Sequence, residues 1–435
     1  MNAPDSPRAA TPRGPIKPGR AELLLRPLFL TALVLLTGLV SSQAALTVRD
    51  AFKQPSSWFA SAEGTQFVSN VFSHQSPVGN WPKNENTGAS AYTGAPAKLK
   101  GTFDNGATTG ELRLLAKAFQ ATGNATYSNA VVRGIDHILG AQYTNGGWPQ
   151  FSPPPAKTYH RHITFNDDTI RRLLEFLREV AGPQEVGRRL LPSRLDAGSG
   201  LNGESGEAVG ARPTGLVSAG AATTNGSAAA ARREPSPYQL SSPATANNLF
   251  GFIDPSRRAK AGDAFANGID CILKCQVRVG GKLTVWCAQH DEINLEPRPA
   301  RAYELASLSG NESAGLLHLL MSLERPSPAI VRAVHAGVSW FDAVKITGVR
   351  EVKVNGNKTI VRDSDAPPIW ARFYELGTNR PFYCSRDGVK RFNIAEIDSE
   401  RRNGYGWHGN WGTEVAKRYA DWAKRFPKPA EEAKQ

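Results

Sequence analysis

Cysteine is scarce in this sequence: four residues of 435 are cysteines, at Cys271, Cys275, Cys287 and Cys384. Cys271 and Cys275 lie four residues apart, but no second cysteine pair or histidine stands at the ligand spacing of structural zinc sites. The lack of these further ligands argues against a zinc site. The thiols are therefore expected to be packed side chains or to form one disulfide, and three full pairings are possible.

Long apolar runs and acidic residues are also limited. After the N-terminal segment no stretch approaches 18 apolar residues, so no further membrane span is expected. Apolar residues make up 40% and charged residues 21%, which excludes wholesale disorder, collagen and coiled coil. Lys and Arg number 52 against 39 Asp and Glu, for a net charge of +13. This excess suits nucleic acid, anionic lipid or an acidic polysaccharide, or else a solvated basic surface.

The N-terminal 44 residues have the pattern of an export signal. A basic leader precedes the apolar run from Pro27 to Val40, which is shorter than the roughly 20 residues of a bilayer span. Small residues at Ser42 and Ala44 then suit a cleavage site. Residues 1–44 are predicted to be a removable signal peptide, with an uncleaved signal anchor as the alternative. Residues 45–435 are predicted to be secreted or periplasmic, without stable membrane association after signal removal.

The sequence beyond the signal contains internal repeats. Gln75 is followed six residues later by Trp81, and Gln142 six residues later by Trp148. Gln276 ends a third copy, which echoes the segment ending at Gln142 almost residue for residue. The three glutamines lie 67 and 134 residues apart, so the second interval is twice the first. Periods of this length, each with two helical segments, predict stacked helix pairs.

The periodicity of apolar residues predicts mostly α structure. Ile170, Leu173, Leu174 and Leu177 recur at helical spacing. Similar spacing predicts helices within 112–119, 127–141, 260–277, 311–324, 327–344 and 412–425. Late in the chain the pattern changes around Asn355-Gly356, which predicts a β-hairpin. The expected fold is therefore mostly α, with minor β content late in the chain.

One stretch departs from this pattern. From about residue 181 to 248 the chain is rich in Gly, Ala, Ser, Pro and Thr and nearly lacks aromatics. Such a composition buries too little apolar surface to offset the entropy of ordering, so disorder is predicted. Because the repeats continue on both sides, we expect an insertion into a single domain spanning 45–435. A linker between two domains is the alternative.

Oxygen-bearing side chains occupy two matched turns ahead of predicted helices. Asp104 and Asn105 form one, and Asp167 and Asp168 form the other, after Asn166. Carboxylate and amide oxygens are the ligands that Ca²⁺ takes, so the pair of turns predicts a calcium site. Helix capping is the alternative role for Asp104 and Asp167.

Aromatic and basic side chains occupy neighbouring turns. Trp81 and Trp148 each precede a proline, where they either face a sugar ring or belong to the core. His290 is a candidate site residue or a structural histidine. Arg301 is a candidate site residue or a simple ion-pair partner of Glu304. Aromatic faces, cations and metal-binding acids together suit a sugar acid as ligand.

Taken in order, these turns resemble the polysaccharide lyase family 10 pectate lyases. The resemblance runs from about residue 47 to the C-terminal helix. It is carried by Asn80-Trp-Pro-Lys-Asn84, Phe103-Asp-Asn105-Gly-Ala-Thr-Thr109, Gly146-Gly-Trp-Pro-Gln-Phe151, Ile163-Thr-Phe-Asn-Asp-Asp168, Leu283-Thr-Val-Trp-Cys-Ala-Gln-His-Asp291, Pro299-Ala-Arg-Ala-Tyr-Glu304, Ser307-Leu-Ser-Gly310 and Arg386-Asp-Gly388. The chain departs from the family in its insertion, its extended N-terminus, Gly79-Asn80 and Gly106.

The resemblance implies an (α/α) toroid and a pectate lyase that cleaves de-esterified homogalacturonan by Ca²⁺-assisted β-elimination. It also implies that Arg301 is the base that removes the C5 proton. This assignment sits awkwardly with the near-permanent protonation of a guanidinium, although a dry, cation-rich site lowers its pKa. The remaining candidates for substrate binding are Arg386, Arg380, Lys390, Lys83, Trp81, Trp148, His290 and Asp291.

Two other classes of protein remain as alternatives. A polyuronate hydrolase on the same fold would use an acid–base carboxylate pair, for which Asp291 and Glu304 are available. A non-catalytic pectate-binding protein would keep the basic and aromatic residues but tolerate the loss of Arg301. Nucleic acid is not expected as a partner, because the basic residues are dispersed and export is predicted. We expect the protein to be a monomer.

Overall fold

The computed structural model describes residues 45–156, 158–190 and 248–429. Within these residues α-helices predominate, as the periodicity predicts, and no helix there is both long and apolar enough to cross a bilayer. The helices are α1 (Val48–Phe52), α2 (Ser56–Ala60), α3 (Ala62–Ser73), α4 (Thr109–Thr122), α5 (Ala125–Gly140), α6 (Thr169–Ala181), α7 (Pro183–Leu190), α8 (Pro255–Lys274), α9 (Gly310–Met321), α10 (Pro328–Ala343), α11 (Ser399–Gly404) and α12 (Trp411–Arg425).

The strands are short, apart from one hairpin. They are β1 (Ile163–Thr164), β2 (Arg278–Val279), β3 (Lys282–Leu283), β4 (Gln289–His290), β5 (Leu308–Ser309), β6 (Val349–Val354), β7 (Asn357–Arg362), β8 (Trp370–Ala371), β9 (Phe373–Tyr374), β10 (Tyr383–Cys384), β11 (Lys390–Arg391) and β12 (His408–Gly409). Strands β6 and β7 form the predicted hairpin. Its turn residues Asn355 and Gly356 have φ values of 49° and 77°, as a type I′ turn requires.

Several helices begin where the sequence supplies a capping side chain. On α5 the side chain of Asn124 accepts a hydrogen bond from the backbone N–H of Thr126, and Asp254 does the same for Arg257 on α8. Helix α6 buries the apolar residues whose spacing predicts it. Local caps and apolar faces therefore agree, which is why the helix predictions from sequence are confirmed.

The helices form two layers. Helices α4, α6 and α9 contact one another in succession, and α5, α8 and α10 form a second succession. The layers meet through the pairs α4 with α5, α6 with α8, and α9 with α10. Helices α1, α2 and α3 pack on α4, and α12 packs on α9 and α10. The stacked helix pairs predicted from the repeats are present.

The repeated glutamines connect the end of each repeat to the next helix of the second layer. The side-chain amide of Gln75, after α3, donates to the carbonyl of Ala130 in α5 at 2.9 Å. Gln142, after α5, donates to Ala264 in α8 at 2.9 Å. These glutamines also donate to a carbonyl in the loop that follows them. Each repeat thus ends with a hydrogen-bonded connection to the next helix pair.

The third glutamine follows the same rule. Gln276, after α8, donates to Ala333 in α10 at 3.0 Å and to Thr284 at 2.8 Å. The 67-residue period seen in the sequence is therefore the spacing of a structural connection. It explains why the glutamine recurs at the end of each repeat.

The repeated tryptophans belong to the core, which corrects the prediction that they bind substrate. Trp81 and Trp148 are fully buried. Their indole N–H groups donate to the carbonyls of Val71 at 2.7 Å and Ile138 at 2.9 Å, at the ends of α3 and α5. A side chain with no exposed face and a satisfied N–H has nothing to offer a sugar ring. The same role falls to Trp286, which donates to Ile272 in α8.

Helix α7 corrects the start of the predicted insertion. It packs on α8, with Val186 buried and Arg189 paired to Asp263. One apolar contact face is enough to order this short segment, although the stretch as a whole is poor in apolar residues. The rest of the predicted insertion, 191–247, and the predicted signal peptide, 1–44, lie outside the described residues.

The cysteines are all free and buried. Of the two roles left open by the sequence, packed thiols are therefore the one observed. Cys275 lies beside Cys271 near the C-terminal end of α8, where burial and the neighbouring thiol raise its pKa. Thiols of this kind are poor nucleophiles and behave as small apolar side chains.

Candidate active site

Two short 3₁₀ turns lie against each other at the start of α4 and α6. The Asp104 turn (Asp104–Gly106) leads into α4, and the Asp167 turn (Asn166–Asp168) leads into α6. Both contain left-handed backbone: φ is 54° at Asn105 and 50° at Asp167. The N-cap positions of α4 and α6 are Thr108 and Asp168, so neither Asp104 nor Asp167 is the capping residue.

Asp104 is buried and fully engaged. One carboxylate oxygen accepts from the ammonium of Lys83 and from the Gln150 amide, the latter at 2.6 Å. The other oxygen accepts the backbone N–H of Asn105 at 2.9 Å. The structure thus brings the predicted residue Lys83 directly to Asp104. Asn105 itself is exposed and directs its amide to Asn84.

Asp167 faces a group of charges. Its carboxylate accepts from the Asn166 amide at 2.8 Å and lies 3.5 Å from the guanidinium of Arg372. Burial raises the pKa of Asp167; Arg372 lowers it, while the carboxylates of Asp104 and Glu312 raise it further. Asp167 and Asp104 therefore repel each other at close range. A cation placed between them would relieve this repulsion.

Asp168 points elsewhere, which corrects its assignment as a metal ligand. Its carboxylate lies 3.1 Å from the Arg171 guanidinium within α6. It also fills the space that the absent side chain of Gly315 leaves on α9, where an added β-carbon would lie 2.2 Å from Oδ1. Asp168 therefore fastens α6 to α9. The sequence could not separate it from its neighbour Asp167, because both belong to the same turn.

Arg301 is held by Glu304 in a two-point ion pair. Its Nε donates to Oε2 at 2.7 Å, and its Nη2 donates to Oε1. Glu304 is buried and accepts a further hydrogen bond, at 2.7 Å, from the hydroxyl of Tyr405. Burial lowers the pKa of Arg301, but the hydrogen bonds and charge of Glu304 outweigh it and hold that pKa above its ordinary value. The side chain is about one third exposed.

Three arginines surround the ring of Tyr303. The guanidinium carbons of Arg301, Arg386 and Arg401 lie 5.0, 5.5 and 4.6 Å from its centroid. The structure therefore brings the predicted binding residue Arg386 close to Arg301. Arg386 is exposed and also contacts Glu400 at 3.2 Å. Arg401, which was not predicted, is buried and pairs with Glu400.

Arg372 is a site residue that sequence reasoning missed. Its guanidinium donates to Glu312 at 2.7 Å, lies 3.5 Å from Asp167 and stacks over Tyr405 at 4.7 Å. Through Tyr405 it reaches the same cluster as Glu304. A buried arginine between acids and aromatics is a strong anion-binding group once those acids are screened. Its sequence context, between β8 and β9 and beside a phenylalanine, carries no polar pattern that would have marked it.

Tyr159 and His160 are also missed residues. They form a 3₁₀ turn with Arg161 and stack on each other at 4.1 Å. Burial lowers the pKa of His160, as do the charges of Lys83 and Arg301. His160 also packs edge-on against Phe151, whose ring lies 6.0 Å from the Lys83 ammonium, so the half-exposed pair supplies aromatic surface near the Asp104 turn. Two histidines on either side of an arginine, at 160–162, were the available signal.

His290 has a structural role, which corrects its assignment to substrate binding. It is fully buried, with Nδ1 2.8 Å from the Leu295 carbonyl and Nε2 accepting the N–H of Cys287 at 3.2 Å. Burial lowers its pKa to about 4, so the ring is neutral at pH 7. Both ring nitrogens are satisfied within the loop.

Asp291 is likewise committed to its own loop. One oxygen accepts the N–H groups of Ile293 and Asn294, and the other accepts from Arg298 at 2.9 Å. It belongs to a group with His162 and Glu292, whose carboxylate pairs with Arg161. These charges are already matched by cations. The assignment of Asp291 to substrate binding is therefore corrected as well.

Arg380 and Lys390 lie together, apart from the two Asp turns. Lys390 pairs with Glu375 at 3.2 Å, and Arg380 stacks on Phe392. They share the β10–β11 region with Arg386 but surround a different carboxylate. The basic residues of this region thus form two groups. Arg386 lies at Tyr303, and Arg380 lies at Phe392 with Lys390 nearby.

The residues of the two Asp turns fit a hard cation. The carboxylates of Asp104 and Asp167 repel each other, and Asn105 adds an amide oxygen on the exposed side. Oxygen donors of this kind suit Ca²⁺, with remaining positions open to water and ligand oxygens. Lys83 and Arg372 contact these two carboxylates.

Comparisons with known proteins decide the family. A family model described as pectic acid lyase matches residues 75–189 and 239–416. The chain belongs to this family. A family 10 polysaccharide lyase from Cellvibrio cellulosa is similar to it at 30% identity over 87% of this chain and 94% of that chain, with a TM-score of 0.62. A mutant of family 10 polysaccharide lyase from the same organism, solved with trigalacturonic acid, gives 30% identity, 87% and 99% coverage and a TM-score of 0.61. A search of curated proteins found no match.

These findings confirm the resemblance read from the turns: the protein is a pectate lyase of polysaccharide lyase family 10. In this pectate lyase the matched residues include both Asp turns and the Arg301 turn. The two matched ranges leave out the residues between 189 and 239. The site described above therefore lies wholly within the family's matched sequence.

Proposed function

We propose that this pectate lyase cleaves de-esterified homogalacturonan by Ca²⁺-assisted β-elimination. The observation that carries the proposal is that the Asp104 and Asp167 turns lie against each other beside Arg372, which shares Tyr405 with the Arg301–Glu304 pair. Acids for a metal and arginines for sugar carboxylates occur together there. The neighbour solved with trigalacturonic acid supports the same substrate class.

The reaction removes the proton from C5 of a galacturonate. Its electron pair forms the C4=C5 double bond, the C4–O4 bond breaks, and the departing oxygen takes up a proton. Bound Ca²⁺ would neutralise the sugar carboxylate and so make the C5 proton more acidic. Asp104 and Asp167 would hold it, with Asn105 beside them. Arg386 and Arg372 are positioned to bind carboxylates of neighbouring sugars.

Arg301 has two competing roles in this scheme. The family resemblance makes it the base, which must be neutral before it accepts the C5 proton. The Glu304 ion pair favours the protonated form in the free enzyme, as an anchor for a carboxylate would require. A calcium ion and several arginines around the bound substrate would oppose that effect. Kinetics of Arg301 variants separate the two roles.

The geometry disfavours a hydrolase. A general acid needs a raised pKa, whereas Glu304, although buried, has its pKa lowered by Arg301 and Tyr405. Asp291 is committed to its own loop and to Arg298. Neither carboxylate is available as the acid of an acid–base pair.

We also propose that the two helix layers belong to an (α/α) toroid and that residues 1–44 direct export to the periplasm or medium, where the enzyme acts as a monomer. The succession of helix pairs supports the first, and the basic-then-apolar sequence supports the second.

The deciding assay is polygalacturonate turnover with and without chelator. A lyase produces 4,5-unsaturated ends that absorb in the ultraviolet, whereas a hydrolase produces reducing ends without that absorbance. We expect absorbance to rise in calcium, stop in chelator and recover when calcium is restored. Reducing ends without absorbance would identify a hydrolase, and polymer retention without any new ends would identify a binding protein.

A further inference from the structure

The β10–β11 hairpin lies directly on the Arg301 turn. Gly388, near its tip, lies beside Ala302: a β-carbon there would be in van der Waals contact with the Ala302 carbonyl oxygen, at 3.6 Å. The thiol of Cys384 lies 3.8 Å from the same oxygen. Arg386 extends from this tip towards Tyr303. The hairpin therefore begins at the proposed cleavage site and runs away from it.

A cation and an exposed aromatic ring are stacked at the far end of this hairpin. The guanidinium carbon of Arg380 lies 3.5 Å from the centroid of Phe392. Phe392 is 39% exposed, which is unusual for a phenylalanine, and Arg380 is exposed as well. A guanidinium stacked in this way keeps its N–H donors at its edge, where they remain open to a ligand.

The neighbouring cations are held in ion pairs, whereas Arg380 has an electrostatic effect on Glu375 but no ion pair among the described residues. Their ion-pair partners are Glu400 for Arg386, Asp387 for Arg391, and Glu375 for Lys390. Among the described residues, the ring of Phe392 is the close contact of the Arg380 guanidinium. Glu375, the nearby acid, is already held by Lys390 and by the Thr378 hydroxyl at 2.7 Å. The donors of Arg380 are thus available for an anion from outside.

We propose that Arg380 and Phe392 form a distal subsite for a uronate unit of the polymer. The inference rests on the proposed function and adds a position beyond the cleavage site. The guanidinium edge suits a sugar carboxylate, and the free part of the ring suits the apolar face of the same sugar. Phe392 follows Gly388 by four residues, so it lies within about 14 Å of the docked tip. A polymer leaving the Arg301 site along the hairpin reaches it after a few sugar units.

Binding and chain-length dependence test the subsite. Arg380→Ala and Phe392→Ala are compared with the wild type by retention in native gels that contain polygalacturonate and chelator, so that cleavage does not interfere. We expect the affinity for polymer to fall about tenfold in each variant, the loss of one good contact. With defined oligogalacturonates from the trimer to the octamer, kcat/KM of the wild type should rise at one chain length, and both variants should lose that step.

The matched control is Arg425→Ala, since Arg425 is another exposed arginine stacked on a phenylalanine, at the end of α12. It should retain wild-type binding and the wild-type step. Unchanged polymer affinity in Arg380→Ala and Phe392→Ala, or an equal loss at every oligomer length, would overturn the subsite. If the wild type forms no unsaturated product but the two variants still lose polymer affinity, the proposed reaction fails and the subsite stands.

Discussion

Arg301 and Glu304 form a two-point ion pair across a single tight turn, with Nε 2.7 Å from Oε2. The backbone N–H of Glu304 closes the same turn by donating to the Arg301 carbonyl at 2.7 Å. The guanidinium is therefore fixed in direction before substrate arrives. What it does there, as base or as anchor, is a kinetic question.

Arg301→Ala separates the two roles. If Arg301 is the base, kcat falls by about 10²–10⁴-fold while oligogalacturonate still binds. Arg301→Lys should also be poor, because an ammonium lacks the planar fork that Glu304 holds. Steady-state kinetics on polygalacturonate measure both parameters. The control is Arg386→Ala, which should chiefly raise KM. A normal kcat with a raised KM in Arg301→Ala would make Arg301 an anchor instead.

Asp167→Asn should lose activity yet gain stability. Because the folded-state pKa of Asp167 is raised, its charge destabilises the free protein above its unfolded pKa, and removal of the charge relieves this. We expect at least about a hundredfold loss of kcat and a higher melting temperature in chelator.

Calcium provides a second readout of the same variant. Calcium should raise the melting temperature of the wild type, as any ligand of the folded state does, and not that of Asp167→Asn. Asp421→Asn, which removes an exposed carboxylate on α12, should respond to calcium like the wild type. If calcium did not change the melting temperature of the wild type, the metal site would be contradicted.

Trp81→Phe and Trp148→Phe should reduce stability and leave KM unchanged. Each loses an indole N–H that satisfies a buried carbonyl, at a cost of about 1–3 kcal/mol. Denaturant unfolding measures the free energy, and turnover at 25 °C measures KM. A raised KM with normal stability would return these residues to the substrate site.

Glu111 should make stability depend on pH. It is buried in α4 with one carboxylate oxygen unpartnered, and burial raises its pKa from 4.5 to about 7. A raised folded-state pKa contributes stability that is complete below pH 4.5 and is lost as pH rises through 7, by up to about 3 kcal/mol. Glu111→Gln should remove this fall. Unfolding free energies from pH 5 to 8 check it, and an equally steep fall in the variant would refute the assignment.

Replacement of residues 191–247 by a short Gly/Ser linker should preserve most activity. The change leaves α7 in place, because Val186 packs on α8 and Arg189 pairs with Asp263. Turnover and melting temperature are the measurements. The control is a longer deletion that begins at residue 183 and so removes α7, which should lower the melting temperature. Failure of the shorter replacement to fold would show that 191–247 contains a structural element.

The sequence predicted the helices and the two Asp turns well, because both depend on local patterns. Apolar spacing decides which face of α6 is buried, and Asp104 and Asp167 stand in matched contexts. The pattern could not show which way a side chain in a turn points. Asp168 turns into the helix packing, one residue from Asp167, which faces Arg372.

The remaining misses have the same origin. Trp81 and Trp148 stand in polar turns, yet their rings reach back into the core. Arg372 lies between two short strands without a polar neighbour, and only tertiary packing brings it to Asp167. Helix α7 depends on its contact with α8. The local amino-acid composition does not show such a tertiary contact.

The glutamines that end the repeats have a consequence for how the molecule unfolds. Each amide donates to its own following loop and to the next helix of the second layer, so Gln142 joins α5 to α8 although α6, α7 and residues 191–247 lie between them in the sequence. Where each unit is coupled mainly to its neighbours, unfolding that begins in one unit spreads to the next.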